Sequence, residues 1–70
     1  MSSQPTAAML VIGDEILSGR TREGNGWHLA KELTEAGVSL REMRVVADEK
    51  PDIIDAVQTL SGKYDYVFTS

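Results

Sequence analysis

Two adjacent carboxylates, Asp14 and Glu15, directly follow an apolar stretch that stops at Gly13. Carboxylate oxygens are ligands that Mg²⁺ prefers, commonly one or two of them together with substrate phosphates. A metal bound by this pair could bridge a pyrophosphate and activate an attacking water. The competing interpretation is a solvated acidic loop, or Asp14 capping backbone amides. The pair alone does not decide between them, because a metal site needs more ligands.

The residues after this pair could hold a phosphate. Ser18, Gly19 and Asn25 could offer backbone or side-chain hydrogen bonds, and glycine permits close approach and positive φ. Arg20 and Arg22 could reach an anion as forked donors, although solvation at the surface is the commoner fate of such side chains. The alternative for these residues is ordinary loop chemistry, with Asn25 as a helix cap.

A strand, a loop and a helix must position these groups. Residues 7–12 form a continuous apolar run, which predicts a strand covered on both faces, as in a parallel sheet. Residues 13–25 predict a long loop, and loops of this length are usually functional or disordered; Ile16 and Leu17 argue against disorder because they can hold the loop on the core. Asn25 then predicts the N-cap of a helix over residues 26–36, which Gly37 ends in a left-handed conformation.

The second half of the chain predicts another strand–helix–strand unit. Residues 38–46 predict a half-exposed edge strand, with a bulge where the apolar phase slips. The next helix has Pro51 in its first turn and ends at Gly62, and residues 64–69 predict a third strand. The apolar stripes of the two helices are Leu29, Leu33 and Ala36, and Ile53, Ala56, Val57 and Leu60.

The predicted element order, β-α-β-α-β, places the site. Helical connections of this length make the strands parallel, with right-handed crossovers. In such sheets ligands bind beyond the carboxyl ends of the strands, where the winding reverses. A strand order of 2-1-3 would put Gly13 and Asp14 beside Thr69 and Ser70. We therefore expect the ligand at this edge, with the cover of the outer strand supplied by further chain.

The composition excludes several classes of function. A net charge of −4 with scattered basic residues argues against a nucleic-acid surface, which needs a clustered basic stripe. No apolar run approaches the roughly 20 residues of a membrane span. The absence of cysteine rules out disulfides and fits a reducing compartment, so we expect a cytoplasmic protein. Residues 1–6 predict a disordered leader before one domain over residues 7–70.

The sequence resembles the molybdopterin-binding (MoaB/Mog) domain family, and is most similar to the N-terminal domain of the competence/damage-inducible CinA type. The resemblance covers nearly the whole chain from Met9, and its most specific part is a Gly-Asp-Glu-Ile-Leu-Ser-Gly run. The matching segments are Ile12–Gly19, Asn25 with Leu29 and Ala30, Ala36–Val38, Asp48 and Asp65–Ser70.

The resemblance implies a three-layer α/β/α domain, of which this chain is the N-terminal β-α-β-α-β portion. In the family, a Gly-Gly-x-Gly-Pro-Thr-x-Asp-Asp segment follows the third strand and forms the second half of the site. This sequence ends just before that segment, so we expect a truncated domain. The implied ligand is molybdopterin or a related phosphorylated, nucleotide-like molecule, and we expect a homo-oligomer formed through the complete domain.

Three functional hypotheses follow. In the first, the domain is a binding module for a phosphorylated pterin or nucleotide. In the second, which the CinA-type branch suggests, Asp14 and Glu15 hold Mg²⁺ or another divalent cation, and Glu15 is catalytic in hydrolysis of ADP-ribose or a related dinucleotide. In the third, the domain only supports assembly. The ligand-binding residues expected are Gly13, Asp14, Ser18, Gly19, Asn25 and Ser70.

Overall fold

The structure, a computed structural model, describes residues 4–70. Its elements are β1 (Thr6–Ile12), α1 (Asp14–Leu17), α2 (Asn25–Glu35), β2 (Ser39–Val46), α3 (Lys50–Lys63) and β3 (Tyr66–Thr69). The predicted order of strands and longer helices is confirmed. The loop predicted over residues 13–25 is wrong where α1 forms. Of the leader predicted over residues 1–6, residues 1–3 lie outside the described residues, and Thr6 already belongs to β1.

The three strands form a parallel sheet in the order β2-β1-β3, which confirms the predicted 2-1-3 order. In the pairing of β1 with β2, Ala7 lies opposite Leu40 and Ala8 lies opposite Glu42. Arg41 is therefore the extra residue of a bulge, as the slip in apolar phase predicted. Central β1 is almost completely buried from Ala7 to Val11; it lies between β2 and β3, and α3 packs on it.

The largest differences from the predicted element ends lie where α3 meets β3; the other ends agree to within one residue. The last helix continues to Lys63, because the Tyr64 N–H still donates to the Leu60 carbonyl at 2.9 Å. Gly62 is tolerated inside this final turn rather than ending it, and β3 consequently begins at Tyr66. The end of α2 is as predicted: Gly37 has φ of 83°, a left-handed value that suits glycine.

The hydrophobic core lies between α3 and one face of the sheet. Ala8 and Leu10 of β1 pack with Ala56 and Leu60 of α3, and both leucines are completely buried. Half-buried residues of the sheet and of α3 surround this cluster; they are Ile12, Val46, Val57, Tyr64 and Val67. The predicted stripe of α3 is thus confirmed as the main packing surface of the domain.

The opposite face is covered less completely. The α2 helix packs mainly on β2, and its predicted stripe is only partly inside: Leu29 and Leu33 are half-buried and Ala36 is exposed. Tyr66 and Phe68 of β3 remain 51% and 36% exposed on the sheet. Across residues 4–70, no helix has the length and apolar character needed to cross a membrane.

Candidate functional site

A cleft of about 420 Å³ lies at the carboxyl ends of β1 and β3, the edge at which the site was predicted. Its apolar part is formed by Val11, Ile12 and Ile16. Its polar lining consists of Glu15, Thr21, Arg22, Glu23, Asn25 and Ser70. The volume is in the range of small-molecule sites, and the mixture of an apolar wall with a few polar groups is typical of them.

Ser70 lies beside the end of β1, as the strand order predicted. Its N–H donates to the Leu10 carbonyl at 2.9 Å, and its carbonyl accepts the Ile12 N–H at 3.1 Å. The Asn25 side-chain amide then donates to Ser70 Oγ at 3.0 Å. The two residues are 45 positions apart in the sequence, so the fold brings together two of the predicted ligand-binding residues.

The beginning of α2 is capped by Glu23, which the sequence analysis did not single out. The Glu23 carboxylate accepts the Asn25 N–H at 2.8 Å and the Gly26 N–H at 3.1 and 3.0 Å. Gly24 occupies the N-cap position and makes no side-chain hydrogen bond there. The prediction of Asn25 as the N-cap is therefore wrong: Asn25 is the first helical residue, and its side chain is free to contact Ser70.

The carboxylates of Asp14 and Glu15 serve different parts of the structure. Asp14 Oδ1 accepts the Asp48 N–H at 3.2 Å, which ties α1 to the loop between β2 and α3. Glu15 lines the cleft, and its carboxylate lies close to Gly13. A Cβ placed on Gly13 would be only 2.5 Å from Glu15 Oε1, so a larger residue at position 13 would displace this carboxylate. Of the two carboxylates, only that of Glu15 lines the cleft.

The described residues give no support for the predicted Mg²⁺ site, which stays a prediction. Among residues 4–70, no group of three or more His, Cys, Asp or Glu side chains is placed to hold a metal ion. Asp14 already accepts a backbone hydrogen bond at its Oδ1, and it does not line the cleft as Glu15 does. These two carboxylates therefore do not form a cation site on their own, and no reaction step is assigned to a metal here.

Ser18 and Gly19 end α1 rather than line the cleft. The Ser18 hydroxyl donates to the Glu15 carbonyl at 3.3 Å and accepts from Arg20 Nε at 3.0 Å. Gly19 has φ of 80° and donates its N–H to the Ile16 carbonyl at 3.1 Å. Of the predicted ligand-binding residues, those outside the lining are Gly13, Asp14, Ser18 and Gly19. Their contact with a ligand stays a prediction.

Thr21 and Glu23 are lining residues that sequence reasoning missed. The Thr21 N–H donates to the Glu15 carbonyl at 3.1 Å, which folds the loop back onto α1 and brings its next residues to the cleft. This contact cannot be read from residue types. A local signal did exist for Glu23, because a carboxylate just before a helix can accept its first free N–H groups.

The cleft has one cationic side chain, Arg22, beside the two carboxylates of Glu15 and Glu23. Arg22 supplies a guanidinium with a forked set of donors, the geometry that matches phosphate. The carboxylate of Glu23 is engaged by backbone amides, while Asn25 and Ser70 add an amide and a hydroxyl. The Arg22 guanidinium, the Asn25 amide and the Ser70 hydroxyl together form a donor set that is consistent with a phosphorylated ligand.

An α/β domain with a parallel sheet and a polar cleft beyond its strand ends is a ligand-binding module. Comparison with known families agrees with this class. Residues 8–70 match the family described as "Probable molybdopterin binding domain", and the chain therefore belongs to that family. The predicted resemblance to MoaB/Mog domains is confirmed, and the fold is that of part of such a domain.

Individual relatives point the same way. A "Probable FAD synthase" of Caenorhabditis elegans is 50% identical over 70 residues, covering 100% of this chain and 14% of that protein. A "CinA-like protein" of Geotalea daltonii is 41% identical over 64 residues, covering 91% of this chain and 16% of that protein. The crystal structure of CinA from Thermoplasma acidophilum, whose function is described as unknown, has a TM-score of 0.89 and 31% identity.

The chain spans only part of each of these proteins. In the Thermoplasma acidophilum structure the similarity covers 97% of this chain and 40% of the other. The predicted likeness to CinA-type proteins is confirmed by that structure and by the CinA-like relative. Activities of the longer relatives belong to those proteins as wholes.

Proposed function

We propose that the cleft at the carboxyl ends of β1 and β3 binds a phosphorylated pterin or nucleotide. The observation that carries the proposal is the contact between Asn25 and Ser70 at 3.0 Å, which joins the start of α2 to the end of β3 at the cleft. Arg22 lies in the same lining and adds a donor set for phosphate. Membership in the molybdopterin-binding-type family supports a pterin ligand.

The chemistry of the ligand can be stated more closely. Molybdopterin and flavins both contain a pyrimidine ring fused to a pyrazine ring, and both molybdopterin and flavin nucleotides carry phosphate. The name of the Caenorhabditis elegans relative refers to a flavin dinucleotide, which supports including flavin nucleotides among the ligands. In this proposal Arg22 binds the phosphate, Asn25 and Ser70 give directional hydrogen bonds, and Val11 and Ile12 contact the ring.

Calorimetric titration of the purified protein with FMN and with riboflavin tests this assignment, because the two differ only in the phosphate. We expect FMN to bind at least about tenfold more tightly, the contribution of a charge-assisted contact. Arg22→Ala should remove most of that preference. Arg41→Ala, at the exposed bulge of β2, is the matched control and should keep it. Equal affinity for FMN and riboflavin, or no binding of either, would contradict the proposal.

The hydrolase hypothesis is tested in parallel with ADP-ribose. Turnover that requires an added divalent cation and disappears in Glu15→Gln would replace the binding proposal by an enzyme. Asp14 is engaged by the Asp48 N–H and only Glu15 lines the cleft, which favours binding without turnover because metal catalysis needs converging oxygen ligands. Localisation in the cytoplasm and homo-oligomerisation through a complete domain remain parts of the proposal, to be tested by fractionation and by size-exclusion chromatography with light scattering.

A further inference from the structure

The beginning of α2 is fixed by a side chain from outside the helix. Glu23 accepts the N–H groups of both Asn25 and Gly26, at 2.8 to 3.1 Å. Gly24, which lies between Glu23 and Asn25, occupies the N-cap position and has no side chain with which to cap the helix. The direction in which α2 starts therefore depends on one carboxylate, which itself lines the cleft.

Close packing at Gly26 limits where this helix start can lie. Gly26 is the only residue of α2 that is fully buried. A Cβ added there would collide with Met43 Sδ of β2 and lie 3.0 Å from Glu23 Oε2. The helix start is thus pressed against β2 on one side and held by Glu23 on the other, which leaves it little freedom to shift.

This arrangement reaches the ligand cleft through Asn25. The same residue gives its backbone N–H to Glu23 and its side-chain amide to Ser70 Oγ, at 2.8 and 3.0 Å. A chain of two hydrogen bonds therefore runs from Glu23 through Asn25 to the end of β3. All three residues line the cleft, so these two hydrogen bonds determine the shape of the cleft on this side.

We propose that Glu23 is a positioning residue of the cleft, which acts on the ligand by holding Asn25 against Ser70. This inference rests on the proposed function for its effect on binding, and on the hydrogen bonds alone for its effect on structure. Removing the carboxylate frees the backbone of Asn25, and the amide of Asn25 then no longer has one fixed direction. A ligand must order this amide again, which weakens binding.

The test compares Glu23→Ala, Glu23→Gln and Glu32→Ala. Glu32 is an exposed residue within α2, so Glu32→Ala makes the same change in charge away from the cleft. For FMN we expect Kd to rise about tenfold in Glu23→Ala, equivalent to one lost hydrogen bond to a positioned group. Glu23→Gln retains an acceptor oxygen and should restore most of the affinity.

A double-mutant cycle separates positioning from direct contact. If Glu23 acts through Asn25, the variant with both Glu23→Ala and Asn25→Ala should bind FMN about as weakly as Asn25→Ala alone. Fully additive losses would show that Glu23 acts on the ligand independently of Asn25, and would overturn the proposal. Equal affinities of Glu23→Ala and Glu32→Ala would overturn it as well.

A measurement without ligand keeps this inference distinct from the proposed function. In ¹⁵N-labelled protein, Glu23→Ala should change the resonances of the Asn25 side-chain amide and of the Ser70 N–H, whereas Glu32→Ala should leave them unchanged. Failure of the wild type to bind FMN, with these changes present, contradicts the proposed function but leaves the positioning role standing. Unchanged resonances in a folded Glu23→Ala variant would refute the positioning role itself.

Discussion

The two longer helices of this domain lie on opposite faces of one sheet and contribute differently to it. Two residues of α3, Ala56 and Leu60, are buried in the core, and both contact the cluster built on β1. In α2 only Gly26 is buried, and the hydrogen bonds that distinguish this helix lie at its first turn, beside the cleft. The difference indicates that α3 stabilises the sheet and α2 shapes the ligand site.

A physical reason underlies this division. A side chain removed completely from water contributes its full transfer free energy, whereas a half-buried one contributes a fraction. The α3 face therefore carries most of the stability, and the first turn of α2 can be built from glycines and polar groups at modest cost. Binding sites are commonly drawn from such less stable parts of a fold.

The largest expected effect is on stability, at the centre of the α3 face. Leu60 is completely buried, so Leu60→Ala should lower the free energy of unfolding by about 2–5 kcal/mol. Ile54→Ala is the matched control, because Ile54 lies on the same helix and is 45% exposed. Urea denaturation monitored by circular dichroism measures both. Similar losses in the two variants would contradict the assignment of the core to this face.

A smaller loss is expected on the α2 face. Leu33 is half-buried, and Leu33→Ala should therefore cost about 1–2 kcal/mol, less than a full core truncation. The same urea titration applies, with Thr34→Ala on the exposed side of α2 as its control. A loss as large as that of Leu60→Ala would mean that the two faces are equally important and would remove the contrast between the helices.

The site should respond to a change that barely affects stability. Asn25→Ala removes the amide that meets Ser70, and we expect FMN affinity to fall about tenfold, as for one lost polar contact. Gln58→Ala removes an exposed amide from α3 and is the control. Unfolding curves should coincide closely for the two variants. Unchanged FMN affinity in Asn25→Ala would show that Asn25 of α2 does not contribute to ligand binding.

The smallest effect concerns a polar cluster on the α3 side of the sheet. A hydrogen bond from Tyr64, followed by one from Arg44, holds the pKa of Glu42 below its usual value of 4.5. Because the folded pKa is the lower one, this stabilisation is present above about pH 4.5 and is lost as the pH falls through the folded pKa. Tyr64→Phe should make stability less dependent on pH in that acidic range.

This prediction is checked by urea titrations of wild type and Tyr64→Phe between pH 6 and 3. The two curves of stability against pH should approach each other at the acid end. Tyr66→Phe is the control, because the ring of Tyr66 is 51% exposed and lies on β3, away from Glu42. Parallel curves for wild type and Tyr64→Phe would show that the hydroxyl does not influence the titration of Glu42.

Much of the fold could be predicted from the sequence, because its main signals are local. The apolar run over residues 7–12, the stripe ending at Leu60 and the turn glycine Gly37 each determine an element without long-range information. General rules for βαβ units predicted parallel strands, and the 2-1-3 order considered for them placed Ser70 beside the end of β1 correctly.

The candidate site was predicted less completely, because its details depend on contacts between distant residues. Asp14 and Glu15 were expected to face one ligand; they lie in the four-residue helix α1, and the Asp48 N–H binds Asp14, a contact that the sequence did not indicate. Asn25 has the residue type of an N-cap, yet Glu23 performs that role because the loop is folded back through Thr21. Neither outcome is encoded by residue type or spacing alone.

The central claim is that the ligand binds at the carboxyl ends of the strands. The most direct test is an NMR titration of ¹⁵N-labelled protein with FMN, in which the chemical shifts of the backbone amides are measured. We predict the largest changes at Thr21, Asn25 and Ser70, which line the cleft. The contradicting result is a set of changes at Asp65 and Tyr66, which line a cavity of about 530 Å³ at the opposite edge of the sheet, or no changes at all.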